Sequence, residues 1–224
     1  MEVTPRPAST VVLLDHLDRV YLTQRPKTMK FMGGIYVFPG GAVDDSDAIH
    51  DDEYIKNEKR DESISQSYYI AAARELFEEA GILLCQTVDG TPVLLEEDTA
   101  LEYRRLLIKG EISFLHMLKK EALYLNLEYL TYFGRIVTPS QSKIRFDTKF
   151  FLARLPEGQT PIPDENEIDD SLWIHPQEAL TRYEEETIPL APPTIHTLKT
   201  IVHYVKSGQL SMPEFNRSDY KIVF

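Results

Sequence analysis

Apolar residues come in short runs over the first forty positions and are separated by turn-formers. Residues 9–17 and 19–25 are rich in Val, Leu, Thr and Tyr and flank Asp18. That pattern predicts two strands joined by a tight turn, the second ended by Pro26. A third strand is expected at 35–38, running into the turn signal Pro39-Gly40-Gly41. Residues 129–137 and 144–154 read as further strands. In the second, Ile144, Phe146, Thr148 and Phe150 alternate with Arg145, Asp147 and Lys149, the pattern of a half-exposed strand. Trp173-Ile174 adds one more short strand.

Helical spacing appears at 67–80, twice within 96–125 with a break near Gly110, and again at 176–185 and 194–206, the last just after Pro192-Pro193. Strands and helices mix without strict alternation, which predicts an α/β or α+β architecture layered around a mixed sheet. Residues 44–66 are polar and charged and read as a solvated acidic excursion with a short helix. There is no internal repeat and no low-complexity linker.

One helix breaks a local rule. Residues 71–82 read Ala-Ala-Ala-Arg-Glu-Leu-Phe-Glu-Glu-Ala-Gly-Ile, with Glu75, Glu78 and Glu79 crowded at the end closed by Gly81. A helix C-terminus carries partial negative charge and favours Lys or Arg. With Arg74 at zero, the 100° step puts Glu78, Glu75 and Glu79 at about 40°, 100° and 140°; the apolar residues fall at about 200–320°. Three carboxylates on one face repel one another, and a divalent cation reverses the sign of that cost. Taken alone, such a patch also fits a solvated acidic face.

Composition narrows the rest. The chain has 224 residues, 42% of them hydrophobic and 27% charged, ordinary for one globular domain with insertions. A net charge of −12 repels phosphate backbones, so no nucleic-acid partner is expected. No apolar run is long enough for a membrane span. Cys85 is the only cysteine and lies in an apolar run, which predicts a core residue in a reducing, cytoplasmic setting. The six histidines, His16, His50, His116, His175, His196 and His203, lack metal-ligand spacing and read as structural or surface residues.

Arg74-Glu-Leu-Phe-Glu-Glu-Ala-Gly-Ile82 matches Arg-Glu-U-x-Glu-Glu-x-Gly-U, U being a bulky aliphatic residue. By average residue usage such a match arises by accident in about one chain of this length in 10⁵. The pattern is the second half of the Nudix box, and the chain resembles the Nudix hydrolases, which cleave nucleoside diphosphates linked to another group. The first half runs from Gly41, with Asp47 where the family has Glu, and Arg74 then comes 19 residues later than the family spacing. The box is therefore split by an insertion at about 45–66; a second insertion spans about 96–125.

The split box, Phe38-Pro39-Gly40-Gly41-Ala42-Val43-Asp44, the 145–151 segment and Pro192-Pro193-Thr194 resemble the peroxisomal coenzyme A diphosphatase branch and its bacterial relatives. Leu22-Thr23, Arg25, Lys30, Gly34 and Phe38 partly match a signature of another coenzyme A branch, with Met32 and Ile35 in place of its His and Glu.

The resemblance implies a Nudix-type α/β/α sandwich and metal-dependent hydrolysis of a nucleoside diphosphate-linked small molecule, favouring coenzyme A or an acyl-CoA. It implies Mg²⁺ or Mn²⁺ on Glu75, Glu78 and Glu79, with Arg74 orienting a glutamate and a further acid drawn from 164–167, Glu167 before Glu165. Arg25, Phe38, Gly40 and Gly41 become the substrate-binding candidates, with Lys27, Lys30, Arg135, Arg145 and Lys149 as further cations. The 96–125 helices are read as core, as a homodimer contact or as a roof over the pantetheine or acyl arm. ADP-ribose or a dinucleotide is the rival substrate, and a non-catalytic nucleotide-binding regulator the rival class.

Overall fold

The computed structural model describes residues 3–29, 32–49, 51–56 and 63–220. Lys30 and His50 lie outside the described residues, as does the 57–62 part of the first insertion. Strands β1 (Arg6–Leu14), β2 (Val20–Gln24), β8 (Thr131–Val137), β9 (Phe146–Arg154) and β10 (Asp170–Ile174) form a mixed sheet in the order β10-β2-β1-β9-β8. β1 and β9 run parallel along their full nine-residue lengths; the other pairings are antiparallel. The turn at Asp18 is as expected, with the residue at positive φ. β3 (Tyr36–Val37) adds to β2.

Three expectations change. Gly40-Gly41 is not only a turn: β4 (Gly40–Ala42) pairs antiparallel with Ala8–Thr10 of β1. Residues 144–154 do not alternate in burial. β9 is a central strand between β1 and β8, so Phe150–Ala153 are buried in sequence, while Ile144 is exposed and Arg145 buried. The polar 44–66 stretch is not wholly solvated. It forms 3₁₀ turns at Asp45–Ala48 and Asp52–Tyr54, and its Asp47 is buried. A second, small sheet escaped the sequence reading: β5 (Ile55–Lys56), β7 (Tyr124–Asn126) and β6 (Cys85–Gln86) pair in that order. Its strands are two or three residues long, too short to leave a periodic signal.

Helices α1 (Gln66–Ala80), α2 (Glu97–Ile108) and α3 (Phe114–Glu121) cover one face of the main sheet, around a core that includes Tyr69, Leu76, Phe77, Met117 and Phe151. Cys85 belongs to that core. On the other face, α4 (Pro176–Glu184) and α5 (Pro192–Ser207) bury Leu180, Ile195, Leu198 and Ile201 against Val12, Leu14, Leu22 and Leu152. The layers are α/β/α, as expected. No helix among the described residues is long and apolar enough to cross a membrane.

Candidate active site

α1 is buried almost all round. Its apolar side faces the core, and its acidic side is roofed by β4 and the 3₁₀ turn at Asp45–Ala48. Arg74 lies at the centre of that roof. All five of its N–H donors have acceptors. Nε and Nη2 grip Asp47 at 3.0 and 2.9 Å, Nη2 also reaches the Ala42 carbonyl at 2.9 Å, and Nη1 bonds Glu75 at 2.9 Å and Glu78 at 3.0 Å. Asp47 is held in turn by a capping box, its carboxylate accepting from the Asp44 N–H at 2.8 Å. The shortened acid of the split box thus meets its arginine, because the insertion loops out and returns. The sequence reading had the right residue but not this contact, which spans 27 positions.

Burial is the main force on the glutamates. It raises Glu75 to about 7, opposed by Arg74 and assisted by the charges of Glu167 and Asp47. It raises Glu78 to about 8, again against Arg74. Glu79 rises well above the ordinary range through burial and then the charges of Glu75 and Glu167, although it accepts from the Gly40 N–H at 3.2 Å. Glu167 therefore bears on all three glutamates across more than 80 positions of sequence. It is half-buried and its own carboxyl is raised by burial and by Asp164, opposed by Arg104 and Arg25; Glu165 is exposed.

The glycines set the distance between β4 and α1. A Cβ on Gly41 would stand 2.4–2.6 Å from the Glu75 carboxylate. Gly40, at φ +155°, would push one to 2.3 Å from the Ser9 carbonyl. Arg25, Phe38, Gly40 and Gly41, the substrate-binding candidates, all line one cavity of about 350 Å³, floored by β1 and β9 through Ser9, Thr10, Phe146 and Thr148. The Nε of Arg25 is buried there and has no hydrogen-bond partner.

The other cations are engaged or remote. Arg145 is buried and donates to the Thr138 and Val3 carbonyls, which makes it a tie between chain segments. Arg135 holds Asp147 through two bonds, Lys149 lies over the Tyr68 ring, and Lys27 is exposed. Of the histidines, His16, His116, His175 and His203 are exposed, and His196 is buried between Tyr220 and the Pro213 carbonyl.

The charge placed at the wrong helix end has a counterpart that the sequence reading missed. Arg104 of α2 donates from Nε to the Glu78 carbonyl at 2.9 Å and from Nη2 to the Glu79 carbonyl at 3.3 Å. The Gly81 N–H closes the helix on Phe77, and the N–H groups of Ile162 and Asp164 bond the Ala80 and Glu79 carbonyls. Nothing in the spacing of Arg104 marks it out, since it belongs to an amphipathic helix that also carries exposed arginine.

The donor set suits a hard divalent cation: several carboxylate oxygens, neither sulfur nor imidazole, and carboxyl groups that burial and mutual repulsion drive toward neutrality unless a cation joins them. Among the described residues no three acidic, His or Cys side chains are already gathered as a metal cage, because Glu75 and Glu78 point at Arg74. Occupancy would require them to turn from Arg74, which keeps Asp47.

Comparison with known proteins gives the family. Residues 54–201 match the model of the NUDT19 Nudix domain. The chain is 30% identical over 204 residues to a putative nudix hydrolase 7 of Caenorhabditis elegans, covering 91% of this chain and 62% of that protein. It is 27% identical over 243 residues to the acyl-coenzyme A diphosphatase NUDT19 of Xenopus laevis, covering 89% of this chain and 63% of that protein. It thus spans somewhat under two thirds of the length of these relatives. The crystal structure of a NUDIX hydrolase from Alicyclobacillus acidocaldarius superposes with a TM-score of 0.79 at 30% identity, covering 95% of this chain and 99% of that one. Fold and split box together define a Nudix-type sandwich. The chain belongs to the Nudix hydrolase family, in the coenzyme A diphosphatase branch.

Proposed function

We propose that this chain, as one Nudix unit with two insertions, hydrolyses the diphosphate of coenzyme A or an acyl-CoA, giving phosphopantetheine (or its acyl form) and adenosine 3′,5′-bisphosphate. The observation that carries this reading is the buried carboxylate face of α1, set directly beneath the glycine strand that lines the cavity holding Arg25 and Phe38. Water adds to one phosphorus, and the bridging oxygen leaves with the other phosphate.

Glu75, Glu78 and Glu79 would hold Mg²⁺ or Mn²⁺, which supplies neutralisation of the diphosphate and a lowered pKa for water. Arg74 keeps the acidic face oriented through its fork to Asp47. Glu167, whose carboxyl is raised by burial, would take the proton of the attacking water. Gly40 and Gly41 let the diphosphate approach the β4 backbone, Arg25 offers its unpartnered Nε–H to a phosphate oxygen, and Phe38 gives an apolar wall. The similarity to the Xenopus diphosphatase supports a coenzyme A substrate, and the lone buried Cys85 suits a reducing cytoplasmic setting.

A panel of coenzyme A, acyl-CoA, ADP-ribose and reduced dinucleotides, incubated with Mg²⁺ or Mn²⁺ and read by mass spectrometry, tests this. Coenzyme A compounds should be turned over fastest. Glu78→Gln should abolish turnover, and Glu167→Gln should cut kcat by about 10²–10⁴-fold. Faster cleavage of ADP-ribose or a dinucleotide would reassign the substrate, and tight binding without cleavage of any compound would make the chain a regulator.

A further inference from the structure

We propose that Arg104, delivered by the second insertion, is a positioning residue that fixes the acidic end of α1 and the loop bearing Glu167; the inference rests on the metal-binding reading above. The last carbonyls of a helix have no partners within it and leave the final turn free to fray. In α1 each of the last four is taken. The Gly81 N–H bonds Phe77, the Asp164 N–H bonds Glu79 at 3.0 Å and the Ile162 N–H bonds Ala80 at 2.8 Å. Arg104 supplies the donor to Glu78 and a second one to Glu79.

Three separate pieces of chain therefore meet at this helix end, and Arg104 joins two of them. Arg104 is 2% exposed, so its charge acts in a poorly screened setting. Positive charge is what a helix C-terminus lacks when three glutamates crowd it. A Cβ built on Gly81 would meet Arg104 Nη1 at 3.3 Å and the Ile162 carbonyl at 3.6 Å, so the guanidinium lies beside the loop as well as on the helix. Fixing the Glu78 and Glu79 carbonyls fixes their Cα–Cβ directions, and hence where both carboxylates can reach. Arg104 touches neither carboxylate and acts through the backbone that carries them. The insertion is thus part of the site's framework.

The test is Mn²⁺ binding by calorimetry on the full chain, with hydrogen exchange at residues 162–168, for the wild type, Arg104→Gln, Arg104→Lys and Leu107→Val. Leu107 is buried in the same helix and its side chain has no donor for these carbonyls, so its variant reports loosened packing alone. Arg104→Gln should weaken Mn²⁺ binding about 10–100-fold, the usual effect of losing a group that orients metal ligands. It should also speed exchange of the Ile162 and Asp164 amides. Arg104→Lys, able to serve one carbonyl, should fall between, and carries the test if the Gln variant does not fold. Leu107→Val should stay within about twofold of the wild type.

Equal Mn²⁺ affinity in the wild type and the Arg104 variants overturns the inference and leaves the metal reading standing. So does an equal loss in Leu107→Val. A wild type that binds no Mn²⁺ overturns the metal reading itself, and the inference falls with it.

Discussion

The two insertions reach the same helix by opposite means. The first sends Asp47 inward to meet Arg74, so that a charge answers a charge. The second sends Arg104 inward to meet the Glu78 and Glu79 carbonyls, so that a charge answers a backbone. The first segment is polar in composition and the second is amphipathic, yet each contributes one deeply buried ionic group. The contrast teaches that an excursion over the surface is judged by the residue it returns to the interior. Asp47 anchors Arg74, the cation at the centre of the acidic face, and Arg104 holds the backbone at its end.

That division can be broken by experiment. The largest effect is expected at Asp47→Ala. Removing one partner of a buried ion pair leaves a charge uncompensated and costs about 3–5 kcal/mol. Urea unfolding followed through Trp173, the only tryptophan, measures it. A cost under about 1 kcal/mol would mean that Glu75 and Glu78 satisfy Arg74 unaided. The double variant Asp47→Ala, Arg74→Met should not recover the loss, since Glu75 and Glu78 are then left without their cation.

Gly41→Ala should come next. Its Cβ would displace the Glu75 carboxylate, the far end of a flexible side chain, so stability should fall by only about 1 kcal/mol while turnover drops sharply. Unchanged turnover would show that the Glu75 position is immaterial. The smallest effect is expected one residue from Arg104. Arg105 pairs with Glu102 on the exposed side of α2, and exposed pairs contribute little. Arg105→Ala should leave Tm and Mn²⁺ affinity at wild-type values; a shift matching that of Arg104→Gln would dissolve the distinction between the two arginines.

Much of this was open to sequence reading. The helix of 67–80 appears as Gln66–Ala80, and the two inserted helices and the long strands fall within a few residues of expectation. Such elements repeat a periodic pattern over many positions, so local chemistry suffices to place them. The carboxylates were equally legible, because Glu75, Glu78 and Glu79 violate a local rule that a structural helix would obey.

Contacts between distant segments were not legible. The burial of Asp47 depends on β4 and α1 closing on it, the status of Arg145 on Thr138 and Val3, and the use of Arg104 on the Glu78 and Glu79 carbonyls, 26 and 25 positions earlier. Sequence alone determined which residues bring charge to this protein and that the charge on α1 needs an answer. Tertiary structure decided which groups give that answer, because pairing across long separations is set by chain closure and burial, which no local window contains.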